Sequence, residues 1–133
     1  MATVKMVEYD DATGDVKQIF DEIMKLREID FVPNVWKTLA VHPPTLRRLW
    51  DGLREVMAPG RLDTLTKEMI AIAVSATNGC EYCLWSHTAA ARKQGLDDEM
   101  LGELMAVVGM FNQTNRLTQG YQVEVDPQYR ETG

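Results

Sequence analysis

Apolar side chains recur along most of this chain at steps of three and four, the spacing that gathers them on one face of an α-helix. Val16, Ile19, Phe20 and Ile23 set the first such stripe, continued by Leu26 or Ile29, with Asp15 placed to cap its start. Pro33 confines Val32 to extended backbone and interrupts the pattern, and Asn34 then caps a short helix through Trp36, Leu39 and Ala40. After the break at His42, Pro43 and Pro44, a third stripe runs through Thr45, Leu46, Leu49, Trp50, Leu53 and Met57, stopping at Pro59 and Gly60. Residues 62–77 form the most apolar long segment. Leu65, Met69, Ile70, Ile72, Ala73 and Val74 spread nearly all round a helix, which predicts a central, buried element.

Asn78 and Gly79 end that helix, and Cys80 opens the next, which is rich in alanine and closes at Gly95. Asp97 or Asp98 caps a further helix with Glu99 in its first turn, and Met100, Leu101, Leu104, Val107, Val108 and Phe111 supply its stripe, with fraying expected near Gly120. The acidic, proline-containing residues 124–133 read as a tail or an arm. No stretch alternates apolar and polar residues as a strand would, so the expected fold is all-α. One domain is expected across residues 1–133: N-terminal helices over about 11–60, a cysteine-containing core over 61–120, and a tail over 121–133.

Composition narrows the function. A net charge of −6 removes the long-range attraction on which nucleic-acid and anionic-membrane binding rest, and the one basic cluster, Arg47 and Arg48, reads as the solvated edge of a helix. Residues 1–10 lack the apolar block of a secretory leader, and no later run is long enough to span a bilayer, which predicts a soluble, cytoplasmic protein. Eight methionines, among them Met69, Met100, Met105 and Met110, are assigned to core or subunit contacts, because methionine fills irregular apolar space.

The two cysteines carry the chemistry. Only three positions apart, Cys80 and Cys83 would close too short a loop to stabilise the chain much, and in a reducing compartment such a pair is catalytic or metal-binding. On a helix they form an i, i+3 pair, and Cys83 and His87 form an i, i+4 pair, so three reactive groups share one face. Free N–H groups at the helix start favour a thiolate, and His87 can take the proton of Cys83. Glu68, an acid in an otherwise apolar helix, is either a solvated residue serving the dipole or a partner of these groups. Three readings use the same atoms: thiol–disulfide redox chemistry, a zinc site of Cys80, Cys83, His87 and Glu68, and a non-enzymatic helical oligomer with an incidental thiol pair.

The run from Asn78 to Cys83, with Glu68 upstream, His87 one turn on, and Ala90, Ala91, Arg92, Lys93, Gln94, Gly95 and Leu96 beyond, resembles the carboxymuconolactone decarboxylase/AhpD-like family in its alkylhydroperoxidase-type branch. The likeness is strong over residues 65–111 and weaker over residues 31–34 and 42–44. It implies an AhpD-like helical bundle, a homo-oligomer of trimeric or hexameric kind, and reduction of hydroperoxides through the cysteines, with a dithiol electron donor and no cofactor. It further implies that Cys83 attacks peroxide, that Cys80 resolves the product, and that His87 and Glu68 relay the proton. One position departs from the pattern: AhpD proper carries a histidine between the cysteines, where this chain has Glu81 and Tyr82.

Overall fold

The computed structural model describes residues 1–131. Among them the chain is helical, with no strand: a 3-10 turn, Tyr9–Asp11, then α1 (Gly14–Arg27), α2 (Asn34–Leu39), α3 (Pro43–Met57), α4 (Thr64–Asn78), α5 (Glu81–Lys93), α6 (Asp98–Gly120) and α7 (Pro127–Arg130). The helices fall into two compact units, divided between Ala58 and Pro59.

In the first unit the α1 stripe is buried as its spacing predicts: Val16, Ile19, Phe20 and Ile23 pack with Val32, Trp36, Ala40, Leu46 and Trp50. The Trp36 and Trp50 rings meet edge to face with centroids 5.4 Å apart, a geometry that sets the positive edge of one ring on the negative face of the other. Trp50 keeps its indole N–H satisfied by donating to Glu22 at 3.0 Å, and Glu22 also lies 3.7 Å from Arg54. Two boundaries differ from expectation. The residue before α1 is Thr13, so Asp15 sits inside the first turn, where its charge meets the positive helix end and Arg47. Asn34 is the first residue of α2 rather than its cap, because Pro33 already fixes the extended geometry that precedes a helix.

The second unit has a small core of Ile72, Ala91 and Leu96, with Leu65, Met69, Leu84, Met100, Leu101, Leu104 and Met105 packed partly buried around it. Asp63 caps α4 by accepting the Thr66 N–H at 2.7 Å, and Asp97 caps α6 by accepting the Met100 N–H at 2.8 Å. The expectation that α4 is buried all round is corrected here. Only Glu68, Ile72 and Ser75 of α4 are buried, while Ile70 and Val74 are about half exposed, and α6 buries none of its 23 residues. No helix among the described residues is long and apolar enough to cross a membrane.

Candidate active site

The turn between α4 and α5 positions the cysteines. Gly79 ends α4 at φ 72°, in the left-handed region where a side chain is strained, and both the Gly79 and the Cys80 N–H donate back to the Ser75 carbonyl, the latter at 3.0 Å. The chain therefore reverses within two residues. Cys80 lands in the N-cap position of α5 with extended backbone, and its Sγ accepts the Cys83 N–H at 3.3 Å, as a capping oxygen would. Ser75, whose carbonyl receives both of these N–H groups, was not singled out by the sequence. A lone serine in an apolar helix carries no signal that distinguishes it from a neutral filler.

Cys80 and Cys83 are joined as a disulfide with their Cα atoms 5.3 Å apart, inside the ordinary range for such a bond. The two-residue spacing thus needs only an N-cap and the third position of the same helix, not two helical residues. In the reduced form a thiolate at Cys80 would lie against the unsatisfied N–H groups and positive end of α5, which lowers the cost of its charge. Glu81 occupies the first turn of the same helix, where the dipole favours a carboxylate.

Glu68 and His87 meet across the α4–α5 pair. His87 Nδ1 lies 2.7 Å from Glu68 Oε2, and the glutamate is 7% exposed. The solvated alternative for Glu68 is thereby set aside in favour of pairing. An ionised carboxylate can only accept, so with Glu68 charged the Nδ1 carries the proton and Nε2 is left with its lone pair, the tautomer of a base. His87 follows Cys83 by one turn on α5, and Cys80 precedes Cys83 by one N-terminal turn, so the four predicted residues form two directly joined pairs linked through a single helix. Among the described residues no three His, Cys, Asp or Glu side chains converge as metal ligands.

Near these groups the surface is partly open. Trp85 is 72% exposed two residues beyond Cys83, and both cysteines are half-buried.

Residues 43–123 match the carboxymuconolactone decarboxylase family profile. The crystal structure of the alkylhydroperoxidase AhpD core from Rhodospirillum rubrum is similar to this chain with a TM-score of 0.93 and 42% sequence identity, covering 97% of each chain. An alkyl hydroperoxide reductase AhpD of Streptomyces griseus is 37% identical over 69 residues, 51% of this chain and 39% of that one. An uncharacterized protein 4 in the cox locus of Paracoccus denitrificans is 38% identical over 52 residues, 39% of this chain and 47% of that one. The chain thus spans less than half the length of these two curated relatives. With the profile match covering well over half of the residues and the fold shared along almost the whole length, the chain belongs to the carboxymuconolactone decarboxylase family.

Proposed function

We propose that the protein is a thiol-dependent peroxidase that reduces hydroperoxides through the Cys80–Cys83 pair and works as a homo-oligomer. The observation that carries this reading is the disulfide at the start of α5 with a paired Glu68 and His87 one turn away. In the reduced protein His87, held through Nδ1 by Glu68, accepts the Cys83 proton. The thiolate attacks the distal peroxide oxygen, the O–O bond breaks, and the alcohol leaves with the proton returned from His87, so that Cys83 becomes a sulfenic acid. Cys80 then attacks the Cys83 sulfur, releasing water and closing the disulfide, and a dithiol donor restores both thiols by exchange. Names of relatives support the same chemistry: an alkylhydroperoxidase AhpD core shares the fold at 42% identity.

Single-cysteine variants test the order of events. Cys83→Ser abolishes the reaction with hydroperoxide. Cys80→Ser reacts once and holds a sulfenic acid on Cys83 that a dimedone adduct reveals by mass spectrometry, because no second thiol remains to condense with it. A dimedone adduct on Cys80 of the Cys83→Ser protein, with the first turnover intact, would reverse the two roles and strip His87 of its function.

A further inference from the structure

Along its second half α6 faces α4 across a cleft of about 700 Å³, and none of Cys80, Cys83, His87 or Glu68 lines it. Ala73 and Thr77 of α4 and Val107, Val108 and Phe111 of α6 form its walls, which Asn112 ties together by donating to Thr77 Oγ1 at 3.0 Å. Ile70 and Val74 extend the α4 wall at helical spacing. This apolar surface stays open in the single chain: Val107 and Phe111 are 55% and 57% exposed. Arg116 is the one charged residue in the lining, and it forms no ion pair among the described residues.

The segment that follows α6 has the complementary character. Tyr121, Val123 and Val125 are each more than half exposed, so the segment does not fold back onto its own cleft. Valines alternate with acids in the order Val123, Glu124, Val125, Asp126, which in extended backbone puts the valines on one side and both carboxylates on the other. The lengths agree as well. Beyond the turn at Tyr121 and Gln122, Val123 and Val125 stand about 7 Å apart at ~3.3 Å per step, and Val107 and Phe111 stand about 6 Å apart along α6 at ~1.5 Å per residue.

We infer that the cleft of one copy receives residues 121–126 of a second copy, with Val123 and Val125 against Val107 and Phe111 and the acids toward Arg116. A second copy is the fitting occupant because cleft and segment are each left uncovered within one chain and carry opposite charge, and because a reciprocal exchange closes as a twofold pair with both clefts filled. This inference rests on the homo-oligomer proposed above and names the contact that builds it.

Sedimentation velocity on the full chain tests it with two charge-reversed variants. Arg116→Glu alters only the cleft, and Glu124→Arg with Asp126→Arg alters only the segment. Each alone should associate at least tenfold more weakly than the unaltered protein. Mixed in equal amounts the two should recover the unaltered mass, since in the mixed pair every segment again meets a cleft of opposite charge. If either variant keeps the unaltered mass, or the mixture stays as weak as its components, the exchange is wrong while the oligomer stands. If the unaltered protein is monomeric at micromolar concentration, both fall. Should Arg116→Glu lose helical circular dichroism, the exposed pair Val123→Ser and Val125→Ser replaces it, with loss of association expected and retention overturning the inference. Consumption of thiols by hydroperoxide, followed in every sample, reports separately on the peroxidase reading, because none of the altered residues belongs to the reacting groups.

Discussion

A glutamate buried to 7% exposure and paired with a half-buried histidine is costly to keep unless the pair is satisfied, and the 2.7 Å contact satisfies it. In the proposed reaction the same contact fixes the imidazole so that its other nitrogen serves Cys83. Glu68→Gln and His87→Ala should therefore slow the first reaction with hydroperoxide by about 10²–10⁴-fold, the usual contribution of a positioned acid–base group. Disulfide formation driven by a small thiol oxidant should persist in both, since the sulfurs need only their shared helix start. Stopped-flow measurement of Cys83 oxidation separates the two effects, and an unchanged rate with hydroperoxide in both variants would remove the pair from the mechanism. At this scale the sequence was informative for a physical reason: Cys83 and His87 at i, i+4 share a face wherever the backbone is helical, while Cys80 reaches Cys83 from the N-cap rather than from a helical i, i+3 position. Glu68 was ambiguous because its pairing depends on where α5 lies, and that is a tertiary fact.

The turns decide where these residues stand. Gly79 at φ 72° has open space where a Cβ would be, so Gly79→Ala meets no clash and pays only for the left-handed backbone. That cost is about 1–2 kcal/mol, and urea unfolding should show the midpoint fall by the corresponding amount with an unchanged slope; no loss would mean that the chain reverses by another route. Asp63 governs the other end of α4. The Thr66 N–H and hydroxyl hold its carboxyl below its ordinary value of 3.8. Because the folded value is lowered, the cap contributes its full stability above pH 3.8 and loses it as pH falls further through the folded value. Asp63→Asn keeps the capping geometry without the titration, so the variant should lose less stability than the unaltered protein between pH 5 and pH 3 in thermal melts; parallel losses would show that the cap does not titrate as described.

Helix starts and stops were legible wherever a residue has one dominant backbone habit: Pro33, Gly79 and Asp97 each mark the break or cap that the structure contains. The cap of α1 lies two residues before the expected one, since Thr13 and Asp15 both suit that position, and the Asp15 carboxylate is instead paired with Arg47 of α3.

At the scale of the whole molecule, periodicity predicts burial correctly for α1 and misleads for α4 and α6. An apolar side chain at Ile70, Val74 or Phe111 declares that it will leave water, not whether it does so within its own chain. A three-residue buried apolar core in the second unit stands beside the uncovered faces of α4 and α6, and the proposed association would cover those faces. Cys80 and Cys83 lie outside that face, so the redox chemistry can be measured without knowing the assembly. The most direct test is a single-turnover titration of the fully reduced protein with an organic hydroperoxide, read by intact mass and by alcohol produced. The proposed peroxidase consumes one equivalent, releases one equivalent of alcohol, and emerges two hydrogens lighter with a Cys80–Cys83 disulfide that a dithiol reverses. A protein that leaves the hydroperoxide untouched, or gains oxygen without closing the disulfide, contradicts it.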